Sequence, residues 1–175
     1  MRLMPGALLT ALLPLQLSLA YAHDAMDSLP PAERDAWIET GARVHGGFGS
    51  LIALGIRIGH DSLHALKAKP REVDVTYYSA AEAPCPCVVD GIMVATAASP
   101  GQNSLRVSPD RPGPGEFGKV VIRNKTSGES VEYVIPLTAG PTFRDVNKLP
   151  VIARWDAIMK APAETLYVRS ERKSQ

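Results

Sequence analysis

Apolar residues recur at helical spacing through the first half of the chain. Between residues 48 and 66 they return every three or four positions, which predicts a mostly buried helix. Gly55 and Gly59 lie in this segment and let a neighbouring element approach its backbone closely. Upstream, Pro30 and Pro31 precede residues 32–42, and prolines at this point favour the start of another helix.

After Pro70 the pattern changes from helical to strand-like. Residues 73–77 alternate between apolar and polar side chains, and residues 88–96 are rich in β-branched residues, so both segments are predicted to be strands. Three more short strands are predicted at residues 105–107, 119–124 and 131–135, with a proline-rich loop at 108–115 and a turn at 126–128. Helices are predicted at residues 142–148 and 151–159, and a last turn or short strand at residues 163–168.

These elements predict an α+β fold. N-terminal helices pack on a mostly antiparallel or mixed β-sheet, and a C-terminal helical segment follows. Residues 23–168 are sufficient for one domain with a single core. Residues 169–175 are charged and are expected to form a frayed tail.

Residues 1–22 have the three-part pattern of a secretory signal peptide. Arg2 is basic, residues 7–19 are apolar, and the small residues Ala20 and Ala22 flank Tyr21 at a cleavage site. A membrane anchor is the alternative, but Pro14 and Gln16 interrupt an apolar run that is already shorter than a spanning helix needs. We therefore expect a periplasmic protein that begins at His23 and has no membrane association after cleavage.

Charge and cysteine content exclude two further classes of protein. Arg2 is the only one of the 19 basic residues to lie in the first 22, so the remaining basic residues balance the 18 acidic ones. The chain after residue 22 therefore has no excess of positive charge with which to bind nucleic acid. Cys85 and Cys87 are the only cysteines, so the chain is not a disulfide-stapled scaffold.

The first candidate site is the glycine-rich segment that leads into the long helix. Its sequence is HGGFGS, residues 45–50. Unpaired N–H groups at a helix start attract anions, so a ligand or a metal-bound substrate is predicted to lie beside the His45 imidazole. The residues expected to contact a ligand there are Gly46, Gly47, Gly49 and Ser50. The alternative is an interhelical turn in which His45 is a cap.

Cys85 and Cys87 form the second candidate site. Side chains two positions apart on an extended segment point to the same side, so both sulfurs can converge on one metal ion or form a disulfide. Two other features are weaker. His60 and His64 are one helical turn apart, which is a metal-chelating spacing or a solvated pair, and His23 could bind copper as an amino-terminal residue.

Three segments together resemble the FmdE-like domain family, which takes its name from formylmethanofuran dehydrogenase. They are HGGFGSLIALGIRIG at residues 45–59, CVVDGIMVAT at residues 87–96 and GQNSL at residues 101–105. The resemblance extends from about residue 45 to residue 135, with a further match near residues 163–167. It implies an α+β domain that binds a divalent metal, often zinc, through opening histidines and a cysteine.

The resemblance also assigns positions to individual residues. His45 matches the first family histidine, Cys87 the cysteine and Asp90 the acid that follows it. Gly47 stands where the family has a second histidine, so Cys85 is predicted to replace that ligand. Further departures from the family pattern lie at Gly49, Met93, Ala97 and Ala98.

The leading hypothesis is therefore an exported protein that binds a metal ion or a small molecule. Its predicted metal ligands are His45, Cys85, Cys87 and Asp90, and a homodimer is left open. Formylmethanofuran dehydrogenase activity itself is not predicted, because the chain lacks the cysteines that iron–sulfur clusters need. The alternatives are an enzyme with Cys87 as nucleophile and His45 as base, or a degenerate family member that acts through a partner.

Overall fold

The computed structural model describes residues 26–172. This part of the chain forms five α-helices and five β-strands, which confirms the predicted α+β class. The helices are α1 (Pro31–His45), α2 (Ser50–Ala65), α3 (Val88–Thr96), α4 (Gly140–Val146) and α5 (Val151–Met159). The strands are β1 (Val73–Ser79), β2 (Leu105–Val107), β3 (Glu116–Asn124), β4 (Ser130–Pro136) and β5 (Val168–Arg172).

The five strands form one mixed sheet in the order β2-β1-β3-β4-β5. β1 pairs with β2 in parallel, and every other pairing is antiparallel, as predicted. Alternate residues of the inner strands are fully buried, among them Val75 on β1, Ile122 on β3 and Tyr133 on β4. This period-two burial places one apolar face of the sheet against the helices.

Helix α2 lies at the centre of the domain, and every residue from 50 to 59 is buried. It contacts α3, α5 and β4. The predicted buried helix at residues 48–66 is thus confirmed, with its start two residues later. Arg57 on α2 is buried, but its guanidinium donates hydrogen bonds to the backbone oxygens of Ile158 and Ala161 at the end of α5. The first of these bonds satisfies a carbonyl in the last turn of α5, and the second joins Arg57 to the backbone just beyond the helix.

The strand predicted at residues 88–96 is wrong, because this segment is helix α3. The β-branched residues there favour a strand locally, but β1 and β2 pair in parallel and so require a crossover between them. Helix α3 is that crossover. Gly55 on α2 and Gly91 on α3 face each other, and a methyl group at either position would overlap backbone atoms of the other helix.

The prediction of a frayed tail that begins at residue 169 is also wrong for residues 169–172, because residues 168–172 form β5 beside β4. Arg169 on β5 donates to both carboxylate oxygens of Asp61 on α2 at 3.1 Å, and the Tyr133 hydroxyl donates to Asp61 at 2.6 Å. Burial and the Asp61 carboxylate raise the pKa of Tyr133 well above its usual range, so the hydroxyl remains a donor. Charged side-chain contacts therefore anchor β5. The strand lacks the alternation of apolar and polar residues by which sequence patterns identify a strand.

Candidate metal centre

His45 is the last residue of α1. Gly46 follows in the left-handed conformation (φ 90°) and donates its N–H to the backbone oxygen of Ala42, which ends the helix. Glycine adopts this conformation without steric cost, so the Gly46-Gly47 turn can follow the imidazole directly. The turn places the partly exposed His45 side chain beside the start of α3.

Cys85 and Cys87 lie on the segment that enters α3. Cys87 is the residue immediately before the first turn of the helix and is buried, whereas Cys85 is partly exposed. Their sulfurs are joined as a disulfide. Of the two arrangements predicted for these sulfurs, a shared metal ion or a disulfide, the structure contains the disulfide, and Cys87 lies at a helix start and not at the start of a strand.

The structure brings His45 to these two cysteines. One ring nitrogen of His45 and the sulfurs of Cys85 and Cys87 all lie within 4.8 Å of one another. Ligand atoms around a tetrahedral zinc ion, each about 2.0–2.3 Å from the metal, lie roughly 3.5 Å apart. For these three side chains to surround one ion, the sulfur–sulfur bond would have to be reduced and the two sulfurs would have to separate to about this distance.

Asp90 lies in the first turn of α3 and orients His45. Its Oδ2 is 2.7 Å from Nδ1 of the imidazole, and both side chains are about one third exposed, at 31% and 32%. A carboxylate bound to one ring nitrogen fixes the tautomer and directs the other nitrogen at a metal. The sequence predicts Asp90 as a metal ligand, and the contact that the structure gives it is with His45, a candidate ligand.

The glycine-rich segment divides into an open part and a closed part. Gly46 and Gly47 are exposed, and no atom lies within 4 Å of a side chain added at either one. Ser50 is buried. Its N–H donates to Oδ1 of Asn147 at 2.7 Å, and its hydroxyl donates to the backbone oxygen of Phe143 at 3.0 Å.

The start of α2 is therefore capped by Asn147, which lies 97 positions beyond Ser50 along the chain. No local sequence signal marks such a distant cap, so the sequence did not predict it. Gly49 packs against the same amide, whose Oδ1 would lie 3.3 Å from a side chain added there. Only the Gly46-Gly47 side of the segment is open to a ligand beside His45.

A surface groove of about 460 Å³ adjoins the centre on the side of Cys85. Its lining includes Pro84, Cys85 and Pro86 from the cysteine segment, and Ser108 and Arg111 from the proline-rich loop. Arg111 is held there by a hydrogen bond of 3.0 Å from its guanidinium to the backbone oxygen of Ser79. The groove borders Cys85, and its lining does not include His45 or Cys87.

The remaining sequence candidates lie elsewhere. His60 and His64 are on the second half of α2 and line a separate groove. His23 and the predicted signal peptide lie outside the described residues. Within residues 26–172, no helix has the length and apolar character needed to cross a membrane.

One family of known proteins matches most of the chain. It is described as "FmdE, Molybdenum formylmethanofuran dehydrogenase operon", and the match covers residues 44–170. The chain belongs to the FmdE family. This confirms the resemblance found in the sequence, and the FmdE match contains His45, Cys85, Cys87 and Asp90. A search of curated proteins finds no match.

Proposed function

We propose that this FmdE protein binds one divalent transition-metal ion, with zinc the best fit, through His45, Cys85 and Cys87. The observation that carries the proposal is the convergence of their three ligand atoms to within 4.8 Å. The ligands would be the two thiolates of the reduced cysteines and one imidazole nitrogen. Thiolate and imidazole ligands favour zinc over hard ions such as magnesium or calcium.

A site with three protein ligands leaves a fourth position for water or a small molecule. We expect such a ligand to enter from the open Gly46-Gly47 turn beside His45, and the groove that borders Cys85 is a second candidate route. A metal there would supply Lewis-acid polarisation of a bound oxygen or nitrogen. The chain would contribute the metal ligands and the orientation of His45 by Asp90. The surface beside the site would contribute both polar and apolar side chains.

We also propose that the protein is exported to the periplasm and begins at His23 after signal-peptide cleavage. The support is the basic, apolar and small-residue pattern of residues 1–22. In that compartment the two sulfurs encounter oxidising conditions, so the state of the Cys85–Cys87 bond would decide whether the metal ligands are available.

The direct test is elemental analysis of protein recovered from the periplasmic fraction and kept reduced without chelators. The expected result is one zinc ion per wild-type chain, with an intact mass that corresponds to a start at His23. Cys87→Ser and His45→Ala are expected to lose the metal, because each removes one of only three ligands. Asp145→Ala is the control, since Asp145 is exposed and lies outside the centre, and it should retain full occupancy. A metal-free wild type, or equal occupancy in Cys87→Ser, would contradict the proposal.

A second prediction concerns Asp90 as a positioning residue. Asp90→Ala is expected to weaken zinc binding by roughly ten- to a hundredfold, as for other carboxylates that orient a metal-bound histidine. Asp90→Asn retains a hydrogen-bonding oxygen and should recover part of the affinity. The affinity is measured on reduced protein by competition with a chromophoric zinc chelator. Asp145→Ala controls for the change in net charge, and an affinity of Asp90→Ala equal to that of the wild type would show that Asp90 has no such role.

A thiol enzyme is the second candidate function, and the position of Cys87 favours it. A helix start and a nearby imidazole both stabilise a thiolate, which is the nucleophilic form. A reduced wild type that contains no metal, while Cys87 reacts with iodoacetamide much faster than an unfolded control peptide, would support the enzyme over the metal site.

A further inference from the structure

His60 and His64 are one turn apart on α2 and line the same surface groove. The groove has a volume of about 600 Å³. Trp37 from α1, Ala95 from α3 and Pro70 beyond the end of α2 also line it. Side chains four positions apart lie one above the other on a helix, so both imidazoles can reach one point in the groove.

The two imidazoles have few competing partners. Nδ1 of His60 is buried and has no hydrogen-bond partner among the described residues. Burial, followed by the neighbouring His64, lowers the pKa of His60, with Asp61 acting in the opposite direction. A neutral imidazole is the form that offers a lone pair to a metal.

Asp61 is the acidic residue nearest to the two histidines in sequence, but its carboxylate is hydrogen-bonded to residues outside the groove. Its carboxylate accepts hydrogen bonds from Tyr133 and Arg169 on the sheet side of α2. The residues that line the groove include no acid and one base, Lys67. A site here would therefore have imidazole nitrogens as its only protein ligands.

We propose that His60 and His64 form a second metal site, which takes a Cu²⁺-class ion. Imidazole suits copper, nickel and zinc, and at a nitrogen site without thiolates Cu²⁺ binds most tightly of these ions. Two ligands from one rigid helix form a chelate, and water or a small molecule in the groove completes the coordination. Trp37 provides an aromatic wall and a natural fluorescent reporter beside the ion.

The test uses the full chain with Cys85 and Cys87 oxidised, so that the thiolate centre does not contribute. All variants also carry His23→Gln, which removes the histidine that could bind copper at the amino terminus. Titration with Cu²⁺ is followed by Trp fluorescence and by electron paramagnetic resonance. The expected results are one bound ion, quenching that Trp37→Phe abolishes, and hyperfine coupling to imidazole nitrogen.

His60→Gln and His64→Gln are each expected to weaken Cu²⁺ binding by about tenfold or more, since each converts a chelate into a single ligand. His64 is exposed, so its substitution leaves the core intact, and circular dichroism checks the fold of both variants. Asp145→Asn is the control, because Asp145 is exposed and lies outside both candidate metal sites, and it should bind Cu²⁺ as the background protein does. Equal affinity in the His60→Gln, His64→Gln double variant, or a loss in Asp145→Asn instead, would overturn the proposal. Either result leaves the thiolate centre untouched, because that centre is tested with zinc on reduced protein.

Discussion

Reduction of the Cys85–Cys87 bond is expected to raise zinc occupancy from none to one ion per chain. In the disulfide each sulfur is bonded to the other and neither is a thiolate, which leaves His45 as a lone ligand. A dithiol reductant supplies two electrons and two protons to give two thiols, and zinc then displaces those protons. Isothermal titration under anaerobic conditions measures the stoichiometry, and repeating it in buffers of different ionisation enthalpy counts the protons released.

The effect of reduction on zinc binding should also be visible in the thermal stability of the protein. An ion that binds only the folded chain stabilises it by about 2.7 kcal/mol at a free concentration one hundred times its Kd. For a domain of this size, 1 kcal/mol corresponds to a shift in Tm of roughly 2–4 °C. Zinc should therefore raise the Tm of the reduced protein and leave that of the oxidised protein unchanged.

Cys85→Ser is the control for the redox effect. This variant keeps His45 and Cys87 but cannot form the bond, so its weaker zinc binding should be the same with and without reductant. If oxidised wild-type protein binds zinc as tightly as reduced protein, the sulfurs are not ligands and the proposed centre is wrong.

Gly91→Val is expected to produce the largest loss of stability, of roughly 3 kcal/mol or more. A side chain at Gly91 would overlap the backbone oxygen of Ile52, and one at Gly55 would overlap that of Val88. Backbone atoms within two packed helices cannot move aside without separating the helices. Urea denaturation followed by circular dichroism measures the change in the free energy of unfolding.

Gly47→Ala is the matched control. A side chain at Gly47 has no atom within 4 Å and no unusual φ angle, so its effect should be within about 0.5 kcal/mol. Because α3 also carries Asp90 and follows Cys87 directly, Gly91→Val should weaken zinc binding as well. A Gly91→Val protein as stable as the wild type would mean that α2 and α3 do not approach each other at this point.

Local patterns predicted most of the fold where the buried face of an element dominates its sequence. The stripe of apolar residues in α2 and the alternation in β1 are examples, because each element buries one face. Residues 88–96 were predicted wrongly because an apolar run buried on most sides has no clear period. What makes this run a helix is the crossover between β1 and β2 and the contact at Gly55, which are both long-range features.

The candidate site was only partly predictable from the residues themselves. The spacing of Cys85 and Cys87 is enough to expect their sulfurs to meet. It says nothing about His45, which lies 40 positions before Cys85. The family resemblance supplied that pairing, and the packing of α3 against α2 and α1 is its physical cause. The contact between Asp90 and His45 depends on the same packing, so a sequence pattern alone cannot identify Asp90 as a positioning residue.

The last strand has a practical consequence for anyone who shortens this protein. Removing β5 would leave the hydrogen-bonding edge of β4 open, and open strand edges recruit other chains. It would also leave the Asp61 carboxylate without Arg169, its charged partner. A shortened chain would thus combine an open edge with an unpaired charge, and both favour insoluble protein. Fusion partners and tags at this end belong after Arg172.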